Sequence, residues 1–113
     1  MSSDSLIPAD PLGFIKRCVH DRKVLWIYHV NMRMRIRAIT RKMILETTDA
    51  YEIIESYPDD KYLPSYLVCS RFGDIVFHVL FAVDVGGENV RVITAYCPDP
   101  GEWMDNLKTR RSR

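Results

Sequence analysis

His29, Arg33 and Arg37 stand four residues apart, so on a helix they fall within about 80° of one another and form one continuous stripe. Such a row can hold an anion. Guanidinium groups meet phosphate oxygens in a two-pronged contact, and an imidazole changes its charge near neutral pH and can take or give a proton. Arg35 and Arg41 add charge nearby but point elsewhere. Arginines at this spacing also occur simply to solvate an exposed helix, and a histidine at a strand-to-helix joint can be only a cap; both alternatives stay open. His78 lies in a long apolar run and Tyr96 in the run that follows it. If Val85 pairs with Val90 across the Gly86-Gly87 turn, Val79 stands opposite Tyr96, and His78 and Tyr96 occupy opposite faces. A one-residue change of register would bring them together. A structural, hydrogen-bonded histidine and a half-buried strand tyrosine are the competing readings at these two positions.

The elements that position these residues follow from periodicity. Asp10-Pro11 reads as an N-cap with proline at the first helical position, and Leu12, Ile15 and Val19 continue at helical spacing with Phe14 and Cys18 alongside. Val24 to Tyr28 is a short strand. From His29 the period becomes helical: Met32, Ile36, Ile39 and Met43 predict one buried face, either on a single bent helix or on two helices with Thr40 capping the second. The second half is β. Strands are expected at 51–57, 66–71, 75–84 and 90–97, separated by turns at Pro58-Asp59-Asp60, Phe72-Gly73-Asp74 and Gly86 to Asn89. The expected fold is α+β, with helices packed on one face of a sheet of four or five mainly antiparallel strands. A disordered tail at 1–8, one domain at 9–107 and a basic tail at 108–113 complete the organisation, with Trp103, Met104 and Leu107 able to fold back.

Composition narrows the class. The chain has 113 residues, long enough for one domain with its own core, and its 16 Lys and Arg against 15 Asp and Glu give no whole-chain hint of a nucleic-acid partner. Any such hint must be local. Three dispersed cysteines, Cys18, Cys69 and Cys97, suit reduced core thiols in a cytoplasmic protein. No long apolar stretch points to a membrane. His20, His29 and His78 are too scattered for a zinc site, and there is no phosphate-binding glycine loop and no nucleophile elbow, so neither metal nor cofactor is expected. Tyr57, Tyr62 and Tyr66 surround the Pro58 to Pro64 loop, where they could stack bases or simply pack the loop on the sheet.

The segment His29-Val-Asn-Met-Arg33-Met34-Arg-Ile-Arg37-Ala38-Ile39-Thr40 resembles the signature His-Ala-x-x-Arg-Met-x-x-Arg-Gly-Ile-Ser/Thr of the DUF4258 family of prokaryotic domains. Tyr57-Pro-Asp-Asp60, the apolar strand with His78, and Ile93-Thr-Ala-Tyr96-Cys-Pro-Asp99 with Trp103 are similar to further motifs of that family. The resemblance spans roughly residues 24–104. Val30 departs from the usual alanine and Ala38 from the usual glycine, so the helix is expected to continue where the family's turns. The resemblance implies a RelE-type toxin fold shared with metal-independent ribonucleases, and beside it a zinc-finger antitoxin of the MqsA type or a helix-turn-helix one. RNA, including ribosome-bound mRNA, is the implied substrate; self-association into a homodimer stays open. On that reading His29 is the general base or acid, Arg33 and Arg37 clamp the phosphate, and Tyr96 orients the scissile group or donates a proton, with His78 as an additional candidate. The rival expectation is a catalytically silent module that binds an antitoxin or regulator.

Overall fold

In the computed structural model, which describes residues 6–111, the first helix α1 covers Pro11–His20. Asp10 starts it as the sequence suggests: its carboxylate accepts from the Gly13 N–H at 3.1 Å, satisfying one of the free amides of the first turn. Phe14, Ile15, Cys18 and Val19 are buried. Of the expected tail, residues 1–5 lie outside the described residues, while Leu6 and Ile7 are exposed and Pro8 is buried.

The chain continues through strand β1 (Val24–Trp26), helix α2 (Tyr28–Ile36), short helix α3 (Arg41–Leu45) and strands β2 (Glu52–Tyr57), β3 (Ser65–Phe72), β4 (Ile75–Asp84) and β5 (Asn89–Tyr96). The strands form one mixed sheet in the order β1-β5-β4-β3-β2. All neighbours are antiparallel except β1 and β5, which run parallel through Val24↔Val90 and Trp26↔Val92. The protein is thus α+β with a five-stranded, mostly antiparallel sheet. Phe77, Val79, Phe81 and Val83, alternate residues of β4, join one core with Tyr66 and Val68, Val90, Val92 and Ala95, and the apolar side chains of α1, α2 and α3.

Of the two arrangements open to this segment, the chain forms two helices, but the common buried face expected of Met32, Ile36, Ile39 and Met43 does not form. Ile39 and Met43 are buried, but Met32 is 51% and Ile36 82% exposed, while Val30 and Met34 are the buried pair of α2 at 2% and 3%. The cause is the end of α2. Ala38 adopts a left-handed backbone (φ 59°), the Ile39 N–H donates to Met34 O at 2.9 Å and the Ala38 N–H to Arg35 O at 3.3 Å. This is the Schellman pattern, which usually employs glycine at the left-handed position. The expected continuation of the helix through Ala38 therefore does not occur: the chain turns there despite the Cβ. The turn resets the helical phase, so residues before and after it no longer share a face. Thr40 then caps α3, its Oγ1 accepting from the Met43 N–H at 3.1 Å.

Candidate functional site

From Arg22 to Leu45 the chain carries Arg22, Lys23, Arg33, Arg35, Arg37, Arg41 and Lys42 and not one Asp or Glu. A protein of net charge +1 thereby concentrates its cations on α2, α3 and their approaches. His29, in the first turn of α2, and Arg33 one turn later are exposed. Arg37, at the helix end, reaches back to the sheet. Its Nη1 donates to Ala95 O at 2.9 Å and approaches Thr94 Oγ1 at 3.4 Å, beyond the point where β1 ceases to cover the edge of β5. Arg41 lies 4.8 Å over the Trp26 ring and donates to Asn31 Oδ1 at 2.8 and 3.2 Å, tying α3 to α2. Of the stripe read from the sequence, Arg37 is thus a bridge between helix and sheet, and His29 and Arg33 face outward.

Tyr96 and His78 form a separate constellation. Asp84 pairs with Asn89, and its carboxylate accepts from the Gly87 N–H at 2.9 Å, so the turn closes one residue earlier than a Val85–Val90 pairing would. A Cβ on Gly87 would come within 2.5 Å of Asp84 Oδ2, so a larger residue there would displace the capping carboxylate. A bulge follows, since Phe81 pairs with Val92 and Leu80 with Thr94, leaving Ile93 as the extra residue. His78 therefore stands opposite Tyr96, and the two share a face, contrary to the register expected from Val85 and Val90. That face is the one turned away from Phe77 and Val79.

The tautomer of His78 follows from its partners. Nε2 lies 2.7 Å from Leu107 O, an acceptor only, so Nε2 carries the proton; Nδ1, 3.3 Å from the Tyr96 hydroxyl, is then the acceptor of that O–H. His78 is fully buried, and Trp103 meets its ring edge-on at 4.5 Å between centroids. Burial pushes its pKa below the ordinary value, assisted by the Arg110 cation and opposed by the Leu107 carbonyl and Glu55. Burial likewise raises the Tyr96 phenol, which stays protonated and able to donate.

The cover over this pair is the C-terminal segment 97–111, here called the strap. Trp103 is its buried anchor, at 2% exposure, and Arg110 packs 4.6 Å over the outer face of that indole. Arg110 also grips Glu55 of β2 through Nε–Oε2 at 2.6 Å and Nη2–Oε1 at 3.2 Å, and Glu55 accepts in addition from the Tyr57 hydroxyl. Burial works against the Glu55 carboxylate, but these donors outweigh it and hold the pKa below the usual range. Lys108 pairs with Glu52 at 2.9 Å. Lys108, Arg110 and Arg111, read in the sequence as part of a basic tail, are thus paired to β2 or, for Arg111, within the strap to Asp105 and Pro100 O.

The expected set His29, Arg33, Arg37 and Tyr96 thus divides in two. Arg37 touches the residue next to Tyr96, but the Tyr96 hydroxyl is engaged with His78 beneath the strap. Glu55, Trp103 and Arg110 were not among the sequence candidates; 55 residues separate the ion-paired side chains, and no local spacing signals the contact. Cys69 is buried as expected, whereas Cys97, read as a core thiol, is exposed because it leaves the sheet just after β5 ends. Tyr66 is likewise a core residue and cannot stack a ligand. Among the described residues no group of three or more metal-ligating side chains is arranged to hold an ion, and no helix is long and apolar enough to cross a membrane.

Comparison with the curated proteins and with the solved structures yields no match. Comparison with protein families yields DUF4258, a domain of unknown function, over residues 26–100. That span runs from the end of β1 through α2 and the remaining strands and stops inside the strap, before Trp103. It covers well over half of the 113 residues, and the chain belongs to the DUF4258 family.

Proposed function

We propose that the protein is a metal-independent endoribonuclease with a RelE-like arrangement of helices on one sheet face, acting as the toxin of a toxin–antitoxin pair, and that α2 is its RNA-binding surface. The observation that carries this reading is the acid-free run from Arg22 to Leu45, with His29 and Arg33 exposed on successive turns of one helix. A polyanion binds where cations are dense and carboxylates absent. In the reaction His29 takes the 2′-hydroxyl proton as O2′ attacks phosphorus. The P–O5′ bond breaks, a 2′,3′-cyclic phosphate forms, and the proton returns to the leaving 5′-oxygen from the imidazolium or through water. Arg33 meets the added negative charge on the phosphorane oxygens. Arg37, held on Ala95 O, fixes the helix against the sheet. The engagement of Tyr96 with His78 favours a positioning role for both over direct proton transfer to RNA.

A second reading rests on Met32 and Ile36. They lie at i and i+4 on α2 and are largely exposed. An apolar pair set among arginines suits an acidic, partly apolar protein surface, such as an antitoxin that covers the same helix. Incubating labelled RNA with the purified wild type, His29→Ala and Arg33→Ala distinguishes the readings. Cleavage lost in His29→Ala with binding retained supports the nuclease; a wild type that neither binds nor cuts RNA supports the protein-binding module.

A further inference from the structure

The sheet face that carries His78 and Tyr96 is covered by the strap at one end and open at the other. At the open end lies a cleft of about 620 Å³ between the Tyr57–Asp60 turn and Leu80, adjoined by a second of about 350 Å³ that reaches Ile27 and Ile93. Asp60, Ser65 and Leu80 line both. Leu80 and Ala82 give the clefts apolar surface beside Arg91; Tyr57 lines the first cleft, and Tyr62, with the Lys61 ammonium 5.2 Å over its ring, lines the second. Such a slot accepts a flat ring.

Asp60 gives the slot its chemistry. Oδ1 accepts from the Lys61 N–H at 2.9 Å and Oδ2 from the buried Ser65 hydroxyl at 2.7 Å, which fixes the carboxylate in the space between the two clefts. An ionised carboxylate has about four acceptor sites, so each oxygen keeps one. Two adjacent acceptors match two adjacent donors. Guanine offers that pair at N1–H and the 2-amino group, whereas adenine and cytosine place an acceptor beside the amino group and uracil flanks its single N–H with two carbonyls. Ile27, at the far end of the second cleft, lies two residues before His29, so this end of the cleft adjoins the start of α2 along the chain.

We infer that the cleft beside Asp60 is a guanine-binding site that selects the base of a single-stranded RNA held on α2. This inference rests on the RNA-binding reading of α2 for its macromolecular context, and the slot itself can be tested without it. Backbone amide resonances of the full-length protein are followed during titration with guanosine 5′-monophosphate and, separately, uridine 5′-monophosphate. Guanosine monophosphate should shift Ser65, Leu80 and Ala82 and bind roughly tenfold or more tightly than the uridine nucleotide, as expected for a two-pronged base contact. Asp60→Asn should erase that preference, and Tyr62→Ala should weaken both nucleotides; both side chains are exposed, so the fold tolerates either change. Equal affinities, or shifts confined to other surfaces, overturn the inference. A single-stranded RNA arm separates the two readings. If RNA binding depends on Arg33 while neither nucleotide enters the cleft, only the guanine site falls. If guanosine monophosphate occupies the cleft but Arg33→Ala leaves RNA binding unchanged, the α2 reading falls and the cleft stands as a nucleotide site.

Discussion

The Tyr96 hydroxyl donates to His78 Nδ1 across the β4–β5 ladder at 3.3 Å, and the His78 Nε2–H donates to Leu107 O at 2.7 Å. One buried imidazole thereby joins two strands and the strap. Leu107 presents its carbonyl from a left-handed backbone (φ 59°), a conformation a leucine adopts only at some cost. Tyr96→Phe should leave Nδ1 without its donor and cost about 1–2 kcal/mol in denaturant melts, the penalty for an unsatisfied buried acceptor.

The strap should loosen in acid. His78 holds its proton less readily folded than unfolded, so it stabilises the fold above its ordinary pKa of 6.5 and loses that contribution as pH falls through the lower folded value. Glu55 acts in the same direction: its stabilisation is present above 4.5 and disappears as pH falls through its depressed value. In a Trp26→Phe background, Trp103 emission should shift to the red as pH drops below 6.5, with a further change below 4.5. Arg110→Ala should remove most of the lower step.

Ala38 occupies the left-handed position that ends α2 (φ 59°). Ala38→Gly should stabilise the protein by about 1 kcal/mol, because the relief of Cβ strain exceeds the entropy glycine adds to the unfolded chain. An equilibrium denaturant midpoint that falls instead would show that the turn does not carry this strain.

The burial phase of α2 has a direct test. Met34→Ala should cost about 2–5 kcal/mol and Ile36→Ala within about 0.5 kcal/mol, since one is buried and the other is exposed. Comparable losses at both positions would contradict the assigned phase.

The strands were legible because alternation and turn residues mark them locally: β4 occupies 75–84 as read from its apolar run, and Asp10-Pro11 starts α1 where expected. The end of α2 was not, because alanine sits where glycine would announce a turn, and Met32, Ile36, Ile39 and Met43 keep helical spacing across the break. The relation of His78 to Tyr96 depends on Asp84 capping the turn and on the bulge at Ile93, neither of which alternation reveals. The apolar Trp103 and Leu107 mark the strap in the sequence, but its grip depends on Arg110 meeting Glu55 and Trp103, a tertiary event. For the candidate site, the spacing of His29, Arg33 and Arg37 was visible, while the tethering of Arg37 to Ala95 belongs to the fold.

The central claim, that α2 binds RNA, is tested most directly by the salt dependence of binding to a single-stranded oligonucleotide. The slope of log affinity against log salt should fall in magnitude by about 0.7 in Arg33→Ala, the share of one phosphate contact on a single strand, and remain unchanged in Arg71→Ala, an exposed arginine at the end of β3. Equal slopes for the wild type and Arg33→Ala, or an equal decrease in both variants, would contradict the claim.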